Sequence, residues 1–279
     1  STDDKGHAVA VDLTTGYGYI AGQTNSSEFP RLNPILPITS FSGGNLDGFL
    51  TVIDPALTDR SSLVYSTLIG GQNEDVVDSI TLDSEGNAYI FGYTNSIDFP
   101  VKNAYHPYLR GETDSFIAKI NPAATTGPAS LIYSTYLGGS GAELAYGVAV
   151  DEFNRAYIVG TTSSVDFPTV AAFQTENAGG VDAFVATVGV NGNALTSASY
   201  LGGSGDETGS GIAVASDGTA YIVGDSASTN LPASLTLAQS TVNESVDTIN
   251  AFVAKITRPE VTPAPQLAST PPTNGNDSA

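Results

Sequence analysis

The chain has no cysteine and little positive charge: 9 Lys+Arg stand against 29 Asp+Glu in 279 residues, a formal net charge of −20. Without cysteine there is no disulfide, no thiolate nucleophile and no zinc–thiolate site. That absence leaves the compartment open. A surface this acidic repels nucleic acid and anionic lipid, so neither is expected as a partner. Cations and basic partners are favoured instead. Charged residues make up only 14% of the chain, so the composition is not that of an acidic disordered segment. Long apolar runs are also missing. None approaches the roughly 20 residues that cross a bilayer, and membrane insertion is not expected. Catalytic signatures are scarce. The two histidines, His7 and His106, have no partner at a recognisable spacing, and neither Gly-x-Ser-x-Gly, His-Glu-x-x-His nor an EF-hand loop occurs. No catalytic residue is assigned, and the expectation is a protein that is not an enzyme.

What the chain has is turns and repetition. Its 30 Gly and 15 Pro fit many reversals of direction. Glu28-Phe-Pro30, Asp98-Phe-Pro100, Asp166-Phe-Pro168 and Asn230-Leu-Pro232 mark one position in four units of 64–70 residues. Each unit offers the same strand candidates. The first is His7–Asp12, Val77–Asp83, Tyr146–Asp151 and Ser210–Ala215. The second is Tyr19–Thr24, Ala88–Thr94, Ala156–Thr162 and Ala220–Ser226. The third is Asp47–Ile53, Asp114–Ile120, Asp182–Val188 and Asn250–Ile256. The fourth, Leu63–Ile69, Leu131–Leu137 and Thr196–Leu201, has no clear copy in the last unit. Turns such as Ser84-Glu-Gly-Asn87 join the first two strands as hairpins.

Four strands per unit predict an all-β fold, a β-propeller of four repeats of four-stranded antiparallel blades. A β-solenoid, with shorter coils, and tandem β-sandwiches are the alternatives. The propeller occupies residues 1–256, with repeats of about 1–71, 72–139, 140–203 and 204–256. Residues 257–279 turn to Pro, Thr, Ser and Asn and read as an extended tail. Blade number leaves two forms open: four repeats closing alone, or two chains sharing a larger ring.

The segments Tyr133–Gly141, Ala149–Asp151, Ala156–Pro168 and Asp182–Val188 together resemble the bacterial and archaeal SBBP β-propeller repeat. The resemblance implies an exported or cell-surface propeller, extracellular, with its signal peptide already removed, and no defined activity. The departures are Asn230-Leu231 for Asp-Phe, Ala215 for a strand-end Asp, and the tail.

Three groups of residues are candidates for a site. Asp4, Asp75, Glu143 and Glu207 recur in the loop entering the first strand. Around one rim they could hold calcium, a hard cation taking six to eight oxygens, or each could cap its own loop. No cofactor is required, and calcium is the one considered. Tyr105, His106, Tyr108 and Arg110 form an aromatic loop that suits a glycan or peptide, or simply packs. Asn25, Asn243 and Asn276 begin glycan-acceptor tripeptides.

The last group concerns assembly. With no fourth strand after Ile256, the last blade has an open edge. Pro265, Gln266, Leu267, Ala268, Ser269 and Thr270 echo Ser62–Thr67. That segment could fold back, or add to a neighbouring copy as a strand and build a filament. The expected function is a structural or adhesive surface protein whose partner is itself. A monomeric binder of glycan or peptide is the alternative, and a propeller-scaffold lyase or hydrolase the second.

Overall fold

In the computed structural model, the residues described are 3–35, 46–232, 236–237 and 249–257. They form four antiparallel sheets of four strands each. The first blade is β1 (Asp4–Val11), β2 (Gly18–Thr24), β3 (Asp47–Ile53) and β4 (Leu63–Ile69). The second is β5 (Asp75–Leu82), β6 (Ala88–Thr94), β7 (Asp114–Ile120) and β8 (Leu131–Leu137). The third is β9 (Glu143–Val150), β10 (Ala156–Thr162), β11 (Asp182–Val188) and β12 (Leu195–Leu201). The fourth holds β13 (Glu207–Val214), β14 (Ala220–Ser226), β15 (Thr236–Leu237) and β16 (Asn250–Ile256). Among the described residues helix is confined to single turns at 59–62 and 127–130. This is the β-propeller architecture that the fourfold repetition predicts.

The innermost strands begin two or three residues earlier than the sequence pattern suggests, so the recurring acid is the first residue of its strand. The cause is a β-bulge. Pairing skips from Gly6 to Ala8, from Val77 to Ser79, from Ala145 to Gly147 and from Gly209 to Gly211. An extra residue breaks the two-residue alternation, so the strand on the near side of the bulge is invisible to a periodicity argument.

The fourth blade also differs from expectation. Its outermost position is held by β15, which pairs Thr236 with Lys255 and Leu237 with Ala254. This strand precedes β16 in the chain, whereas the other blades place their outermost strand last. The tail segment Pro265, Gln266, Leu267, Ala268, Ser269 and Thr270 lies outside the described residues, as do Asn243 and Asn276.

Blades stack face to face in chain order. β1, β2 and β3 lie on β5; β5, β6 and β7 on β9; β9, β10 and β11 on β13. No comparable contact joins the fourth blade to β1. Among the described residues the propeller is therefore an open arc with two end faces. Exposure follows. Val9 is 69% exposed, whereas its equivalents Ile80 and Val148 are 9% and 8% exposed and Ile212 is half-buried against a preceding blade. At the other end Tyr221 and Val223 are 42% and 47% exposed, whereas their equivalents Tyr89, Phe91, Tyr157 and Val159 are buried under a following blade.

Each third strand carries a buried phenylalanine at one position: Phe49, Phe116, Phe184 and Phe252. The ring of the Phe-Pro turn packs on it within the same blade, at 4.7 Å for Phe29–Phe49, 4.3 Å for Phe99–Phe116 and 4.6 Å for Phe167–Phe184. Leu231 takes that place in the fourth blade, in the cluster that includes Phe252. Removing one such ring leaves a cavity in an interior that cannot collapse around it. Phe116→Ala is expected to cost about 3–5 kcal/mol in denaturant unfolding. An unchanged midpoint would show that the ring is not part of the core.

Candidate functional site

The repeated acids sit where one blade meets the next, and the backbone brings them there. The amides of Asp75, Glu143 and Glu207 donate to the carbonyls of Leu46, Thr113 and Val181 in the preceding blade, at 2.9, 2.9 and 2.7 Å. Their carboxylates turn back under their own loops. Asp75 accepts from the Gly71 amide at 2.7 Å and the Ser96 hydroxyl at 2.8 Å. Glu143 accepts from the Gly139 amide at 2.9 Å and from Thr162 and Ser164 at 2.5 and 2.6 Å. Glu207 accepts from the Gly203 amide and Ser226, both at 2.6 Å. All three are buried. Among the described residues no blade precedes Asp4. It is exposed, and it accepts from Thr24.

Each buried acid also meets the aspartate that opens the third strand of the preceding blade. A Cβ built on Gly138 would lie 2.3 Å from Glu143 Oε2 and 2.5 Å from Asp114 Oδ1. On Gly202 it would lie 2.3 Å from Asp182 Oδ1 and 2.7 Å from Glu207 Oε2; on Gly70, 2.4 Å from Asp47 Oδ1 and 2.9 Å from Asp75 Oδ2. The first glycine of each Gly-Gly pair is there because any side chain would collide with two carboxyl groups. The second admits the Asp or Asn of the next Phe-Pro-type turn. Asp98 accepts from the Gln72 amide at 2.8 Å, Asp166 from Ser140 at 2.7 Å, and Asn230 from Ser204 at 3.0 Å.

The four recurring acids are thus distributed one per blade. Among the described residues no three His, Asp or Glu side chains converge as a metal site. What the structure brings together is pairs: Asp47 with Asp75, Asp114 with Glu143, Asp182 with Glu207. Two buried like charges cannot both ionise cheaply. Burial outweighs the hydrogen bonds these groups accept and, with a smaller contribution from the neighbouring carboxylate, pushes Asp75, Asp114 and Asp182 up to about 6. Glu143 is raised by burial. Asp75 Oδ1 and Asp182 Oδ1 are buried with no hydrogen-bond partner, which adds to the cost of ionising these carboxyl groups.

A second constellation escaped the sequence reading. The four bulge residues are His7, Asp78, Tyr146 and Ser210, all unlike, on the innermost strands. His7 Nδ1 lies 3.0 Å from the Val77 carbonyl and 3.3 Å from Asp78 Oδ1, which joins the first two blades. The signal was the residue before Ala8, Ser79, Gly147 and Gly211, legible only once the bulge is known.

The aromatic loop is ordered by its own blade. Tyr105 stacks on His106 with centroids 4.3 Å apart. The His106 amide donates to Thr135 at 2.9 Å, and its carbonyl accepts from the Tyr136 amide at 3.2 Å. Burial, helped by Arg110, lowers the imidazole to about 4, so it is neutral at pH 7. Arg110 reaches towards Asp166 at 3.9 Å, and Tyr108 stands exposed. Tyr108 and Arg110 remain available at the surface; Tyr105 and His106 are half-buried.

Residues 64–100 and 132–168 each match the family model of the beta-propeller repeat, SBBP. The chain carries SBBP repeats. No curated protein matches it. Each matched SBBP segment runs from the outermost strand of one blade through the first two strands of the next, β4 to β6 and β8 to β10. The SBBP unit is therefore centred on a blade junction, and the Gly-Gly turn with its buried acid lies inside it.

The acid pairs predict a pH dependence. Their folded-state values lie above the ordinary aspartate value of 3.8. The native state thus holds extra protons between about pH 4 and 6. These groups stabilise the fold below that window, and their contribution is lost as pH rises through it. Asp182→Asn mimics the protonated form and should flatten the loss. Its melting temperature at pH 8, relative to the parent, should gain about 2–4 °C over the same comparison at pH 4.5. A variant equally destabilised at both values would contradict the raised pKa of Asp182.

Proposed function

We propose that this chain is a structural, self-assembling propeller module, working outside the cell, whose partner is a second copy of itself. The observation that carries the reading is the pair of open end faces. Blade stacking in this protein uses one recurring interface, made three times inside the arc. The face of β14 and β16 repeats the half that blades 1 to 3 present to the next blade. The face of β1 repeats the half that blades 2 to 4 present to the one before. The two ends are complementary by repetition and point in opposite senses.

The chemistry at the ends supports the fit. Tyr221, Val223 and Val253 on one face are exposed apolar side chains at positions that bury their equivalents elsewhere, and Val9 on the other is more exposed than its equivalents, which are buried or half-buried. The buried acid pair of the internal junctions would become Asp4 with Asn250, one carboxylate and one neutral amide. That junction carries no like-charge repulsion. A head-to-tail contact of this kind closes into a ring if the rotation allows and otherwise extends as a filament. The placement outside the cell rests on the resemblance to exported proteins with this repeat. Calcium enters as a condition to vary, since the acidic surface attracts it. We assign no enzymatic role.

Particle mass in solution, with and without calcium, tests the reading. The parent chain should form dimers or longer polymers at high micromolar concentration. Val9→Asp and Val223→Asp should each be folded and monomeric, because both sites are exposed in the single chain. Mixed together they should form a capped dimer, since each keeps one intact face. A monomeric parent, or variants that assemble as the parent does, would overturn the proposal.

A further inference from the structure

The outermost strands of the first three blades differ at one position. Tyr65 in β4, Tyr133 in β8 and Ser197 in β12 each stand two residues after the leucine that opens the strand. Both tyrosines are fully buried. The Tyr65 hydroxyl bonds Ser130 of the next blade at 2.8 Å. The Tyr133 ring lies edge-on to Tyr89, with centroids 6.3 Å apart at 73°. It packs against Gly192 of the next blade so closely that a Cβ there would lie 2.3 Å from the ring. At these two junctions a hydroxyphenyl ring fills the space between blades.

At the third junction the ring is missing, and there is a cavity of about 300 Å³. Tyr157, Phe173, Val185, Thr187, Ser197 and Ile256 line it. The turn that would correspond to Gly192 in the fourth blade lies beyond Thr257, outside the described residues. The frame around the gap is otherwise kept. Tyr157 is the equivalent of Tyr89, and Val185 of Ile117. One change is polar: Thr187 replaces Lys119, whose ammonium lies over the Tyr89 ring and 2.9 Å from Asp83. Ser197 Oγ donates to Thr187 Oγ1 at 3.0 Å, which leaves Thr187 its own proton to donate.

We propose that this cavity is a binding site for a para-hydroxyphenyl group brought by a ligand, either a free phenol or the tyrosine side chain of a peptide. The protein itself packs that group into the equivalent space at two other junctions. The volume lies at the lower end of small-molecule pockets and suits one ring. Tyr157 offers the edge-to-face partner that Tyr89 offers Tyr133, an attraction that a saturated ring of the same size cannot make. Phe173, Val185 and Ile256 supply the apolar walls. This site is independent of the end faces and does not require self-assembly.

The test uses the full chain and four probes: p-cresol, N-acetyltyrosinamide, a tyrosine-containing pentapeptide and 4-methylcyclohexanol. Calorimetry and saturation-transfer NMR should show one p-cresol or N-acetyltyrosinamide per chain, with 4-methylcyclohexanol about tenfold weaker or more, the ratio a lost aromatic pair gives. A pentapeptide about tenfold tighter than p-cresol identifies a peptide site; equal affinities identify a free phenol. Ser197→Tyr restores the ring found in the other blades. It should abolish binding and raise the melting temperature. An aryl-azide phenol should label the intact parent chain within 155–157, 171–173 or 196–199, and this readout decides the matter if the variant does not fold. No binding at millimolar probe, undiminished binding to folded Ser197→Tyr, or labelling elsewhere would each overturn the assignment.

Discussion

The arc depends on one arrangement: a carboxylate buried under a Gly-Gly turn at the start of each blade after the first. Its amide is tied to the preceding blade, its side chain to its own loop and to the end of its own second strand. Three directions of the chain are thus fixed at one point. A buried charge in such a place is costly unless it is hydrogen-bonded, and here amides and hydroxyls surround it. The glycine before it has no alternative, because two carboxyl groups occupy the space of its side chain. The position therefore orients one blade on the next as well as ending a loop.

Packing then follows the same order. Apolar strands of one blade cover the innermost strand of the next, and the core runs as successive clusters along the arc. Each Phe-Pro-type turn adds a ring or leucine to its own blade and an acid or amide to the Gly-Gly loop. The interface is repeated, so the unfilled halves at the two ends are as informative as the filled ones between. The same reasoning applies to the space at Ser197: an empty position in one repeat is best described by what fills it in the others.

Much of this was legible in the chain. The Phe-Pro-type tripeptides, the Gly-Gly turns and the alternation of strands such as Leu131–Leu137 are local features. Local features determined the number of repeats in the chain, the strand order within the first three and the buried rings at Phe49, Phe116, Phe184 and Phe252. The recurring acids were found too, but their chemistry was open between a shared cation and a capped loop. Their alternate partners, Asp47, Asp114 and Asp182, lie about 30 residues away in sequence, and no spacing rule joins them. The bulge residues His7, Asp78, Tyr146 and Ser210 were missed as a set, because one extra residue shifts the alternation on which strand reading relies.

By itself, then, the sequence determined the repeating unit, because a repeat is written in short-range turn chemistry and two-residue periodicity. Only the tertiary structure decided how the units meet. It showed that the acids act in inter-blade pairs, that Thr236–Leu237 takes the outermost position of the last blade, and that the described arc has two unlike, complementary ends. It also turned Ser197 from an ordinary strand residue into the wall of a cavity. These are properties of surfaces in contact. They depend on which side chains from distant segments share one small volume, and local sequence does not carry that information.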